Sequence, residues 1–234
     1  GGIYRPVIFR VGRGQGAKVK AVSIDEQVDM LLKIDPVELQ LAIDAAAVEA
    51  ARLGQTVVMT RRKVQVLAAA FAQNPLPPGF ELRVTADEVP RAYYVNHREQ
   101  ATSFVPPPEP SPGASYATDY PTLQTLPEYL SFAHQLTQSL EQFERANLRL
   151  KRLQLVATTK NTAKFRQARQ ALEESHLLEA HIVFTTLNSA GLSALESCAA
   201  TTPFGIIVVD EAAQAVEPST LIPMQYGCRK CVLV

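Results

Sequence analysis

One stretch constrains the fold more than any other: Gly205-Ile206-Ile207-Val208-Val209-Asp210-Glu211-Ala212-Ala213-Gln214. Four β-formers without a polar break predict a strand buried on both faces, as in a parallel sheet. Two carboxylates follow with no spacer. Ligands of α/β sheets gather beyond the carboxyl ends of the strands, which makes Asp210 and Glu211 candidate site residues. Burying them is costly unless they are paired, hydrogen-bonded or bound to a cation. Magnesium fits that need: one carboxylate holds the ion through its waters, and the other orients and deprotonates an attacking water. Two acids exposed on a loop after a strand would carry the same letters.

The chain has 234 residues, 47% of them hydrophobic, enough for one large domain or one domain with an insertion. Lys+Arg and Asp+Glu both number 23, so any nucleic-acid site must come from local clustering of charge. Cys198, Cys228 and Cys231 are an odd, late-placed set that suits reduced thiols in ordinary packing. Cys228-x-x-Cys231 has no second pair to complete a zinc site. No run approaches the ~18 apolar residues of a membrane-spanning helix. The start, Gly1-Gly2-Ile3-Tyr4-Arg5-Pro6, lacks a signal-peptide layout, and an intracellular protein is expected. The start has no methionine and the end, Lys230 to Val234, reads as a strand, which gives the expectation of a fragment.

Earlier in the chain, Val7, Phe9 and Val11 alternate as in a strand and close on Gly12-Arg13-Gly14-Gln15-Gly16. Those glycines lack the Gly-Lys-Ser/Thr of a phosphate loop and read as a flexible turn. A helix is predicted from Asp35 as N-cap, with Pro36 and Glu38 behind it and Gly54 as its stop. Leu39, Ile43, Ala46, Ala50 and Leu53 share its apolar face. Val57 to Met59 could be a strand; with Val64, Leu67, Ala68 and Phe71 behind it, a second helix is favoured.

Residues 74–127 are dense in proline and predict an exposed connection with one short strand at Phe80 to Thr85. A loop of that length belongs at the tip of an insertion rather than inside a compact domain. Thr125-x-x-Glu128 is a capping box that opens the longest helical pattern. Its seam of Ala133, Leu136, Leu140, Phe143, Asn147 and Leu150 predicts an antiparallel pairing with the helix at 36–53. Arg145, Arg149, Lys151, Arg152, Lys160, Lys164, Arg166 and Arg169 form a basic run, either a solvated face or a phosphate track.

Strand chemistry returns at His181-Ile182-Val183-Phe184, followed by Thr185-Thr186-Leu187-Asn188-Ser189-Ala190-Gly191. Small hydroxyl residues and a glycine after a strand suit contact with phosphate oxygens, and an ordinary helix-capping turn would look the same.

Asp210 to Gln214, with Glu217 to Met224 and Arg229 to Val234 behind it, strongly resembles the Walker B region of superfamily 1 RNA/DNA helicases. The resemblance is to the senataxin-like branch, relatives of the nonsense-mediated-decay helicase. His181 to Gly191 resembles that family's strand and Thr-rich motif, which touches nucleic acid, and Phe9 to Gly12 with Val19 to Val28 resembles the stretch after its second nucleic-acid motif. The resemblance implies an α/β fold: a partial RecA-like (P-loop NTPase) parallel sheet from residues 1–30 and 175–234. It also implies a helical, prong-like insertion at 31–174 that carries the proline-rich connection at 74–127. The implied function is part of an ATP-dependent helicase motor with ATP and Mg as cofactors. By resemblance Asp210 holds Mg, Glu211 is the general base and Gln214 couples to the γ-phosphate. Thr185, Thr186 and Ser189 contact the nucleic-acid backbone, and Gly191 lets it approach. RNA or DNA, single-stranded or as an RNA:DNA hybrid, is the implied partner, and the nucleus the implied location. The family's Gly-Lys-Thr loop and its arginine-bearing second RecA domain do not occur in these residues, so this stretch alone is expected not to hydrolyse ATP. The competing reading is a non-catalytic module whose basic helical insertion binds nucleic acid or a protein.

Overall fold

A computed structural model describes residues 6–11, 21–74, 76–108, 122–159 and 165–234. The turn expected at Gly12 to Gly16, Lys160 and Lys164 of the basic run, and Pro110, Pro112 and Pro121 lie outside the described residues. In chain order the elements are Ile8–Arg10 (β1), Ile24–Lys33 (α1), Pro36–Gln73 (α2), Phe80–Val84 (β2), Ala92–Asn96 (β3), Ala101–Ser103 (β4), Pro127–Thr159 (α3), Phe165–Leu177 (α4), Ile182–Phe184 (β5), Ser193–Thr201 (α5), Ile206–Val209 (β6), Glu217–Met224 (α6) and Lys230–Leu233 (β7). Short 3-10 turns stand at Leu123–Thr125, Ser189–Gly191 and Ala212–Gln214. The class is mixed α/β with parallel sheets, as expected.

Two compact units share the chain: residues 1–47 with 147–234, and residues 48–146. The divisions fall inside α2 and α3, whereas the insertion was expected to run from 31 to 174. The reason is packing: Leu39, Ala46, Leu153, Val156 and Leu172 belong to one core with Val11, Ile24, Val28 and Leu195.

In the first unit β1 pairs in parallel with β5, placing Phe9 beside Val183, and β6 pairs in parallel with β7, placing Val208 beside Val232. No ladder joins β5 to β6 among the described residues. The Thr185 and Asp210 segments follow strands of separate two-stranded sheets. The buried strand expected at 206–209 is also corrected, since Ile206 is 62% and Val208 63% exposed. A two-stranded ladder offers too little face to cover itself, so an apolar run states what a strand needs and not what it gets.

Beneath β1 and β5, Phe9 stacks edge-on against His176 with ring centroids 5.3 Å apart. His176 Nδ1 lies 2.7 Å from Arg152 Nη1, and Arg152 Nη2 reaches Glu179 Oε2 at 2.5 Å. Burial, and after it the Arg152 charge, pushes the His176 pKa down to about 4. The imidazole is therefore neutral at physiological pH and accepts from Arg152. Arg169 on α4 is gripped by Asp29 at 2.5 Å, Glu173 at 3.1 Å and Asp25 at 3.2 Å, tying α4 to α1. Two guanidiniums of the basic run are thus structural, which local charge counting could not reveal.

In the second unit α2 runs straight through Gly54, the expected stop. A Cβ at that position would come within 3.1 Å of the Phe143 ring, so the glycine serves close packing against α3. Farther along, Lys63 Nζ lies 5.0 Å over the Phe132 ring. The contacts descend α3 as they climb α2, the expected antiparallel sense; here the part of α2 beyond Gly54 is the partner, while Leu39 and Ala46 of the expected 36–53 share the first unit's core with Leu153 and Val156.

The larger correction is at 74–127. Phe80 to Val84, Ala92 to Asn96 and Ala101 to Ser103 form a three-stranded antiparallel sheet, with Leu82 opposite Tyr94 and Tyr94 opposite Ser103. The prolines at 77, 78, 90 and 106–108 stand between and beyond the strands, where no ladder donor is needed. Leu82, Val84 and Tyr94 bury one face against Leu67, Leu76 and Leu126. Glu128 does not close the expected box with Thr125. Its Oε1 accepts from Val84 N at 3.3 Å, and the box forms one turn earlier between Thr122 and Thr125. Burial raises the Glu128 carboxyl above the usual range, against the lowering effect of that N–H.

Candidate nucleotide and nucleic-acid site

The acid turn begins where β6 ends. Val234 N donates to Val209 O at 2.9 Å and Ala212 N to Val234 O at 2.8 Å, so the end of β7 clasps the turn through backbone alone. Asp210 Oδ1 accepts from Glu211 N at 3.0 Å. Glu211 has φ 54° and ψ 36°, the left-handed region that non-glycine residues seldom adopt. Gln214 N closes the 3-10 turn onto Glu211 O at 2.9 Å. Asp210, Glu211 and Gln214 are all exposed. The expectation of buried acids is corrected: desolvation does not force a cation on this pair, and what remains is a set of oxygens open to a ligand.

The hydroxyl turn after β5 is built differently. Thr186 Oγ1 donates to Ser189 Oγ at 3.0 Å and accepts from Ser189 N at 3.3 Å, while Ala190 N bonds Thr186 O at 2.9 Å. Thr185, Thr186 and Gly191 are exposed, Ser189 is half-buried and Ala190 is buried. A Cβ at Gly191 would meet Ile222 at 3.5 Å, ordinary contact, so protein packing does not require a glycine there.

Helix α6, which follows the acid turn, is what brings the two segments together. Ile222 faces Gly191, and the buried Tyr226 hydroxyl donates to the Ala190 carbonyl. Sequence reasoning missed Tyr226; a lone tyrosine two residues past a helix carries no local signal of a partner 36 positions away. Beside the hydroxyl turn lies a cavity of about 330 Å³ whose lining includes Ser189, Ser193, Leu192, Asp25 and Glu173. Burial raises the Glu173 carboxyl, and Arg169 opposes that shift.

The family model described as the AAA domain matches residues 1–234. The chain belongs to that family. This AAA domain is 47% identical over 78 residues to a probable helicase of Dictyostelium discoideum, covering 33% of this chain and 8% of that protein. It is 32% identical over 104 residues to helicase sen1 of Schizosaccharomyces pombe, covering 44% of this chain and 6% of that protein. Over 68 residues it is 37% identical to the probable helicase senataxin of Mus musculus, covering 28% of this chain and 3% of that protein. These matches support the senataxin-like, superfamily 1 resemblance read from the motifs. The matched stretches span under a tenth of those relatives' lengths. No helix among the described residues is long and apolar enough to cross a membrane.

Proposed function

We infer that this AAA domain is part of an ATP-dependent helicase motor acting on RNA or DNA in the nucleus, RecA-like in its parallel sheets and carrying a prong-like insertion within 31–174. The observation that carries the reading is the pair of open carboxylates at the carboxyl end of β6, the second on left-handed backbone. The donor set suits magnesium, which takes one or two carboxylates with substrate phosphates and keeps several waters. Such an ion would supply charge neutralisation to the phosphates of bound ATP. Asp210, whose Oδ1 accepts from Glu211 N, would hold it. Glu211 orients the attacking water and takes its proton. Gln214, bonded through its backbone to Glu211, lies in the same turn and couples to the γ-phosphate.

Thr185, Thr186 and Ser189 donate hydroxyl hydrogen bonds to the nucleic-acid backbone, and Gly191 leaves room for it. Two features favour this reading over a module bound through its basic helices. Arg152 and Arg169 are engaged by internal carboxylates, and α6 links the acid turn to the hydroxyl turn.

In the full-length protein, Glu211→Gln should lower nucleic-acid-stimulated ATP turnover by about 10²- to 10⁴-fold, the range for loss of a general base, while ATP binding persists. Unchanged turnover in that variant sinks the assignment.

A further inference from the structure

Tyr226 stands where three segments of the first unit meet. It lies just past α6, and a helix stop fixes its place: Tyr226 N donates to Pro223 O at 3.3 Å and Gly227 N to Met224 O at 3.2 Å. Gly227 then takes φ 68°, left-handed backbone that suits a glycine. Tyr226 is 9% exposed, and its ring lies 5.9 Å from the Phe204 ring at a tilt of 55°. Phe204 precedes Gly205, whose carbonyl accepts from Arg229 N at 3.1 Å and Lys230 N at 3.3 Å where β6 and β7 begin. The Tyr226 hydroxyl crosses to the turn after β5 and donates to the Ala190 carbonyl.

That carbonyl sits between Ser189 and Gly191, the residues that meet nucleic acid on the motor reading. Ala190 is 2% exposed, and a buried carbonyl deprived of its donor is costly, so the peptide keeps its orientation while Tyr226 holds it. Rotation of that peptide would carry Gly191 from its place beside Ile222 and disturb the Thr186–Ser189 pair one residue back. At its other end α6 grows out of the acid turn: Gln214 N closes that turn, Val216 O accepts from Ser219 N at 2.9 Å, and the helix begins at Glu217. Its 8 residues make a strut about 12 Å long. A helix does not shorten, so a shift of Gln214 when a ligand arrives moves Ile222 and Tyr226 with it.

We propose that Tyr226 is a positioning residue that couples the two turns: through its hydrogen bond to Ala190, nucleotide at the acid turn sets the grip of the hydroxyl turn on nucleic acid. Tyr226 touches neither ligand. The inference rests on the motor reading and adds the route by which the two sites sense each other. Two arrangements are involved, the hydroxyl turn held by Tyr226 and the same turn released. Nucleic acid favours the held one, in which Thr186, Ser189 and Gly191 are in register. Nucleotide shifts the balance by ordering Gln214 at the foot of α6. Such coupling is reciprocal, so it is read from binding alone.

The test uses the full-length protein and a fluorescent single-stranded oligoribonucleotide, whose Kd is measured by anisotropy with and without a non-hydrolysable ATP analogue. In the wild type the two Kd values should differ by about fivefold or more, the span of ordinary allosteric coupling. Tyr226→Phe keeps the ring and removes the donor, and its ratio should fall to within about twofold of one. Ile222→Ala, which loosens the other contact of α6 with the turn, should lower the ratio part of the way. Val156→Ala, a cavity in the same core but on α3, should keep the wild-type ratio, because lost stability by itself weakens both measurements alike. A Tyr226→Phe protein that melts lower but keeps its ratio overturns the proposal, since the tyrosine is then structural only. If that variant does not fold, an unchanged ratio in Ile222→Ala overturns it instead. A wild-type ratio of one overturns it as well. Unchanged turnover in Glu211→Gln sinks the motor reading even where the ratios behave as expected, and flat ratios sink the coupling even where that turnover is lost.

Discussion

The turns that leave β5 and β6 start from similar apolar strands and end in different surroundings. The first is tied by its own hydroxyls, by the Tyr226 hydroxyl just past α6 and by the core under β1. The second is clasped by backbone hydrogen bonds to the end of β7, and its three polar side chains reach into water. A turn built in advance loses little freedom when a strand lies across it. An open acid turn can order around an incoming ligand, at the cost of geometry supplied only when that ligand arrives. On the proposed reading, nucleic acid meets a prepared surface and ATP completes its own.

The largest way to break this contrast is through the floor of the hydroxyl turn. The native His176 pKa of about 4 lies below the ordinary 6.5, so between those values the unfolded chain binds more protons than the native one. The stability from the neutral imidazole is full above about pH 6.5 and is lost as pH falls toward 4, on the order of 3 kcal/mol in all. Urea unfolding across that window should show the decline, and His176→Gln should flatten it. A smaller effect comes from Tyr226→Phe, which leaves the Ala190 carbonyl without its donor and should cost about 1 kcal/mol in melting experiments. Hydrogen exchange at Ala190 should rise in that variant, while Ala212 N–H, held by Val234, should not change. The smallest is expected at β6: Val208→Ser, at a side chain 63% exposed, should change stability by less than about 0.5 kcal/mol. A large loss there would mean that β6 is covered in solution, and the contrast between the two turns would fail.

Much of this arrangement could be read from local pattern. The period of two around Phe9, the long apolar stripes of α2 and α3, and the step from Val209 to Asp210 depend on neighbours in the chain, and each appears at its expected place. The errors have a common origin. Gly54 looked like a helix stop because its partner, Phe143, lies on another helix. The stretch after Asn74 looked like loop because proline density was weighed without its position, and the prolines turned out to bracket the strands. Arg152 and Arg169 looked available for phosphate because Glu179, Asp25 and Asp29 are distant in sequence.

Backbone preference and side-chain period are short-range properties, and they were enough for the α/β class and the acid-bearing strand end. Burial, ion pairing and the union of the two turns through Tyr226 depend on residues tens of positions apart, which only the folded chain brings together. For that reason the exposure of Asp210 and Glu211 was decided by the tertiary structure.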